Sequence, residues 1–202
     1  MNTCIVIPMK DPRRAKTRLS GVLNQTEREN VALNLFEKNV KFIRQHFFNY
    51  RLVVVSDSLV IKNLAESYGA HVLLEARPNG LNAAIDLATS YSVRHHFHSQ
   101  LVIPADIESL DYLEISLLLT HPRAPRSVIV CPSVDEGTNA LLSTPPNVIS
   151  FSYGPRSSQV HLKNAYDLGV KATRLHLEKL SFDVDKPEDL NWGTFRRGEL
   201  TA

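Results

Sequence analysis

The stretch "IPMKDPRRAKTRL", Ile7 to Leu19, places Lys10, Arg13, Arg14, Lys16 and Arg18 directly behind an apolar run, with Arg28 a little further on. Asp11 is the one nearby counter-charge. Lysines and arginines gathered in a loop suit phosphate oxygens, which arginine meets two at a time. Carboxylates do the opposite job, holding Mg2+ that in turn bridges phosphates. Asp106 closes "LVIPAD", while Asp183 and Asp185 in "FDVDKPEDL" are spaced to share one face of an extended strand. A basic loop and acidic strand ends on one rim would form a metal–triphosphate site. Taken singly, each has a plainer explanation: a solvated loop, a turn or helix-cap aspartate, a cap before "KPEDL". Their joint occurrence favours the site.

Three further stretches offer polar groups and close backbone approach. "PNGLNAA" puts Gly80 and Asn82 at a helix start, where backbone N–H groups favour an anion or a polar base edge; the plainer reading is a loop with an Asn cap. "GTNALL" offers Gly137, Thr138 and Asn139 ahead of a strand. "YGPRSSQVH" offers Gly154, Arg156, Ser157 and Ser158 at another helix start, a candidate phosphate nest. Ser157 and His161 are four apart and share a helix face, but a single histidine so placed is more often structural than catalytic. His95, His96 and His98 close a helix and read as solvated surface. No GxGxxG, P-loop, GxSxG or HExxH pattern occurs.

These residues need a frame to hold them. The runs "TCIVIP", "RLVVVSD", "HVLLE", "LVIPAD" and "SVIVCP" are short, apolar and rich in β-branched residues, as in strands covered on both faces. Helical patterns lie between them, over about Gln25 to Phe48, Leu59 to Tyr68, Leu81 to His96 and Tyr112 to Leu119. Thr26 and Glu29 are spaced as a capping box for the first of these. This βαβα order predicts a Rossmann-like α/β sandwich with a mostly parallel sheet. The last third differs: "NALLS" and "ATRLHL" read as strands, and "SSQVHLKNAYDLG" as a helix ended by Gly169. Ligands in such sheets sit at the carboxyl ends of the strands, where the basic loop, Asp106 and the Asp183–Asp185 pair are found.

The 202 residues suit a single elaborated domain, with no linker and no internal repeat. Formal net charge is only +2, so the basic loop is a local feature, which argues against nucleic acid as the partner. Cys4 and Cys131 sit in apolar runs and read as reduced core residues of a cytoplasmic protein. No run is long enough to span a membrane, and no leader pattern opens the chain.

Six motifs taken in order, "IPMK…AKTRLS", "GLNAAI", "PADIESL", "GTNALL", "YGPRSSQVHLKNA" and "FDVDKPEDL", resemble the 2-phospho-L-lactate guanylyltransferase family, whose bacterial members use phosphoenolpyruvate or 3-phosphoglycerate. They run from Ile7 to Leu190. The resemblance implies a nucleotidyltransferase fold of the glycosyltransferase-A-like, nucleotide-diphospho-sugar transferase type. It implies transfer of GMP from GTP to the phosphate of a small phosphorylated acid, with diphosphate released, in the biosynthesis of coenzyme F(420). Carried over by motif, Lys10, Lys16 and Arg18 would meet the triphosphate, and Gly80 and Asn82 would lie near the nucleotide. Asp106 would bind Mg2+, with Asp183 and Asp185 as further metal contacts, and Thr138, Gly154 and Ser157 would hold the acid. Three positions depart from the family pattern: Glu108 replaces a proline, and Arg156 and Ser158 stand where a glycine and an aromatic are usual.

An ionised phosphate nucleophile needs no general base, in keeping with the lack of a Ser/His/Asp or Cys/His arrangement. Two rival readings are kept: a sugar-phosphate nucleotidyltransferase or glycosyltransferase of similar fold, and a non-catalytic GTP-binding regulator. The first lacks support in the absence of a Gly-rich first loop and of a DxD motif in "ADIES". Oligomeric state stays open, a homodimer through the elaborated last third being the expectation.

Overall fold

The computed structural model of the chain describes residues 2–191. β1 (Thr3–Pro8) is buried along its whole length, and its alternation builds both faces of the sheet. Ile5 and Ile7 join one apolar cluster, and Cys4 and Val6 join another. The first cluster is completed by α1 (Gln25–His46), α2 (Leu59–Ser67) and α4 (Tyr112–Thr120), through residues such as Phe36, Ile61 and Ile115. The second is completed by α3 (Gly80–Arg94) and α5 (Ser157–Asp167), through Ala84, Ile85 and Ala165. The expected three-layer sandwich results. Both cysteines are free and buried, and burial pushes their thiols up to about 11 for Cys4 and about 12 for Cys131.

The remaining strands are β2 (Arg51–Ser56), β3 (His71–Leu74), β4 (Ser99–Val102), β5 (Ser127–Pro132), β6 (Thr138–Thr144) and β7 (Lys171–Arg174). Their order across the sheet is β3-β2-β1-β4-β6-β5-β7. All pairings are parallel except those of β6, which runs antiparallel to both β4 and β5. The chain steps outward from β1 to β3 and then returns to β4 on the other side of β1. That reversal opens a crevice above the carboxyl ends of β1 and β4.

Local expectations needed three corrections. The first helix is capped by Asn24, not Thr26: Asn24 Oδ1 accepts from the Glu27 N–H at 3.0 Å, and Glu27 Oε2 accepts from the Asn24 N–H at 2.7 Å. Glu29 instead accepts from the Gln25 side chain. β4 ends at Val102, because Pro104 cannot continue the ladder, so Asp106 lies in a turn beyond the strand. Asp183 and Asp185 do not share a strand face either. Ile107 and Asp183 form an isolated antiparallel bridge, flanked by the Val184 N–H donating to the Asp106 carbonyl at 3.1 Å and the Glu108 N–H to the Phe182 carbonyl. This single bridge with its two hydrogen bonds turns Asp183 and Asp185 to different neighbours, and it brings the end of the described chain to the tip of β4.

Candidate active site

The site grows from the loop after β1. Lys16 adopts a left-handed conformation, φ 54° and ψ 34°, at the start of a single 3-10 turn over Thr17–Leu19. Such a backbone costs a non-glycine residue roughly 1 kcal/mol or more and persists where its surroundings demand it. Here the demand is visible. The Lys16 side chain is only 5% exposed, and Nζ donates to Asp106 Oδ2 at 2.6 Å and to the Val184 carbonyl at 2.6 Å. An ammonium has three protons, so one donor remains for a ligand. The Asp106 turn is held from below by Asn39, a fully buried residue of α1 whose Nδ2 donates to the carbonyls of Ala105 and Ile107 at 3.1 and 3.0 Å.

The three arginines of the loop are paired as well, although Asp11 alone was expected to balance them. Arg13 chelates Asp11, Arg14 pairs with Asp57 at the end of β2, and Arg18 pairs with Asp185. Asp57 also accepts from the Asp11 N–H at 3.1 Å. Asp57 follows β2 and Asp185 follows the bridge at Asp183, so two of the pairs tie the basic loop to distant parts of the rim. Arg28 lies on α1, bonded to the Leu23 carbonyl and Gln25, away from this group.

A cleft of about 400 Å³ opens here. Lys10, Arg14, Lys16, Gly80, Asp106 and Asp185 line it, with Asp57 and Glu75. Its apolar wall includes Pro8, Met9, Leu81 and Ala84. Gly80 stands at φ +86°, a conformation that strains an L side chain. Asn82, expected near the nucleotide or as a cap, does something else. Its Oδ1 accepts from the Tyr153 N–H at 2.7 Å and its Nδ2 donates to the Tyr153 carbonyl at 3.2 Å, tying the start of α3 to the loop before α5.

Asp183 faces Asn139, whose Nδ2 donates to its Oδ1 at 3.0 Å. Burial pushes its carboxyl up to about 6, against that hydrogen bond, with Asp106 and Asp185 adding to the rise. Among the described residues, no three His, Cys, Asp or Glu side chains gather closely enough to hold an ion unaided. The donor set fits Mg2+ all the same. Asp106 and Asp185 each have one oxygen committed to a cation, and Mg2+ is bound through one or two carboxylates plus substrate phosphates and water.

Thr138, Ser157 and His161 form a buried cluster outside the lining of that cleft. Thr138 Oγ1 lies 2.9 Å from Ser157 Oγ and 3.1 Å from His161 Nδ1. The Ser152 N–H donates to His161 Nε2 at 2.9 Å. That amide leaves Nε2 without a proton, so Nδ1 carries it and donates to Thr138. The two hydroxyls share one hydrogen bond, and one hydroxyl proton of the pair is not spent on the ring. Burial holds His161 down at about 4, so the ring is neutral near pH 7. Gly154 and Arg156 are exposed at the mouth of this nest, Arg156 as the left-handed cap of α5. An added Cβ at Gly137 would lie 2.7 Å from Ser133 Oγ, so a larger residue there would force that hydroxyl to turn away. Ser158 is turned away, its hydroxyl donating to the Glu136 carbonyl, and Glu108 does not line the cleft. His95, His96 and His98 are exposed, as expected.

Three residues escaped the sequence reading. Asp57 and Glu75 close two of the strand runs quoted above and carried the same signal as Asp106. Asn39 is a polar residue within the apolar stripe of α1, which is a signal for a buried hydrogen-bonding role.

The fold and the sequence both have likenesses among known proteins. A solved structure described as a nucleotide-diphospho-sugar transferase, from Desulfovibrio desulfuricans, superposes with a TM-score of 0.69 over 94% of this chain and 85% of its own, at 16% identity, a likeness of fold. The 3-phospho-D-glycerate guanylyltransferase of Colwellia psychrerythraea is 44% identical over 94% of this chain and 90% of its own length. The phosphoenolpyruvate guanylyltransferase of Rubrobacter xylanophilus is 34% identical, covering 94% and 92%. The 2-phospho-L-lactate guanylyltransferase of Methanothermobacter thermautotrophicus is 30% identical, covering 94% and 83%. The family model "Guanylyl transferase CofC like" matches residues 3–198, and the chain belongs to that family.

Proposed function

We propose that this chain moves GMP from GTP onto the phosphate of a small phosphorylated carboxylic acid, releasing diphosphate, as a step toward coenzyme F(420). The observation that carries this reading is the Lys16–Asp106 pair at the mouth of the β1–β4 crevice, with Asp183 and Asp185 beside it. Among the three acids named for its relatives, 3-phospho-D-glycerate is the first choice, because the relative of that name shares 44% of its residues.

The chemistry asks for positioning and charge control. Both reactants are polyanions, and the attacking phosphate oxygen is already ionised, so no base has to remove a proton. Lys16, with one donor unspent, and Arg18 would offset the charge that gathers on the leaving diphosphate. Lys10, exposed at the cleft, would steady the outer phosphates. Gly80 would let the nucleotide approach the start of α3, and Asn82 would act through the loop at Tyr153. Asp106, Asp183 and Asp185 are the residues that would hold Mg2+, which when bound supplies positive charge at the α-phosphate. Thr138, Gly154 and Ser157 would hold the acid, with a hydroxyl proton of the Thr138–Ser157 pair as donor.

A matrix of four nucleoside triphosphates against 3-phospho-D-glycerate, phosphoenolpyruvate and 2-phospho-L-lactate, with Mg2+ and diphosphate as readout, tests the reading. GTP with one of the acids is expected to give diphosphate. GTP binding with no diphosphate from any acid would return the chain to a non-catalytic regulator.

A further inference from the structure

The cleft has a second acidic end that phosphate chemistry does not need. Asp57 follows β2 and Glu75 follows β3, and both line the cleft. Two carboxylates are poor company for a triphosphate. They also differ in what they still offer. Asp57 is committed on both oxygens, to the Asp11 N–H and to Arg14. The Glu75 side chain has no hydrogen-bond partner among the described residues; its backbone N–H donates to the Ser56 carbonyl. It is half-buried, and burial together with Asp57 holds its carboxyl above the usual range. Such a group gains most from a pair of N–H donors.

Sheet geometry says which part of a nucleotide reaches it. From β3 to β4 there are three inter-strand steps, about 14 Å at roughly 4.8 Å each. A nucleoside triphosphate laid along the strand ends, with its α-phosphate at Lys16 and Asp106, brings its base to the ends of β2 and β3. Met9, Leu81 and Ala84 supply apolar surface for the ring.

We propose that Glu75 is the residue that reads the base, its two oxygens accepting from guanine N1–H and the 2-amino group. This rests on the guanylyl-transfer reading above. Adenine presents a lone pair at N1, which the carboxylate repels, and inosine lacks the 2-amino donor. Buried acceptors that are left unpaired reject such analogues strongly.

Competition binding of GTP, ITP and ATP with Mg2+, followed on the wild type, Glu75→Ala and Glu75→Gln, tests the assignment without needing an acceptor. The wild type is expected to prefer GTP to ITP about 10-fold and to ATP about 100-fold, from one and two charged hydrogen bonds respectively. In Glu75→Ala the GTP-to-ITP ratio should collapse to about 1 with ATP affinity and Tm unchanged. Glu75→Gln, whose amide can both donate to and accept from adenine, should move the preference toward ATP. A Glu75→Ala variant that still separates GTP from ITP overturns the assignment and leaves guanylyl transfer standing. Wild-type preference for GTP without turnover on any acid does the reverse. No wild-type preference for GTP overturns both.

Discussion

At the scale of single residues, Lys16 and Asp106 depend on each other. The lysine is buried with two of its three protons spent, and among the described residues the aspartate supplies the only negative charge hydrogen-bonded to it. Asp106→Asn keeps the shape of the turn but leaves the buried Lys16 ammonium without its counter-charge, so kcat should fall at least about 100-fold and Tm should drop while the protein still folds; kinetics and thermal melts check both halves. An active Asp106→Asn variant with intact Mg2+ dependence would remove the metal role from that position. His161 makes a different prediction. Its unfolded pKa is near 6.5 and its native value about 4, so the unfolded chain takes up a proton first as pH falls. Stability from this group is complete above about pH 6.5 and lost toward pH 4, amounting to about 2 kcal/mol by pH 5. Urea unfolding at pH 7 and 5 should show that loss in the wild type, and His161→Gln should lack it.

At the scale of elements, the ribbon between 106–108 and 182–184 and the Asn39 bridge place the acidic groups. Asn39 spans from α1 to the two carbonyls flanking Asp106. Asn39→Ala leaves both carbonyls buried and unpaired, at a cost of about 2 kcal/mol. It should also lower kcat more than it raises KM for GTP, because the Asp106 turn loses its support. Steady-state kinetics on the folded fraction separate the two effects. The strands, helices and their order could be read from periodicity, because apolar pattern is a local signal. So could Gly169, which closes α5 at φ +62°. The ends of elements were harder: proline stopped β4 early, and Asn24 rather than Thr26 capped α1. The ribbon was invisible because it joins segments about 75 residues apart through one bridge and two hydrogen bonds, with no strand pattern in either.

At the scale of the whole molecule, the cleft was legible as a list of residues but not as a charge arrangement. Lys10, Lys16, Gly80, Asp106 and Asp185 do line one cleft, while Thr138 and Ser157 lie in a separate buried cluster joined to it through Asn139–Asp183 and Asn82–Tyr153. Spacing along a chain cannot say that Arg14 will meet Asp57 or that Arg18 will meet Asp185, since those contacts exist only once the sheet has formed. They change how the protein should meet its ligands. Lys16 and Arg18 already have carboxylate partners where phosphates would bind, and Asp106 and Asp185 already have cations where Mg2+ would bind. The cleft thus behaves like a closed ion exchanger rather than a sticky basic patch. GTP alone would strand the carboxylates, and Mg2+ alone would strand the cations; together they swap counter-ions with nothing left over. Calorimetry should therefore show each binding weakly by itself and both binding in concert, with a salt dependence much shallower than a loop of five cations would have on its own.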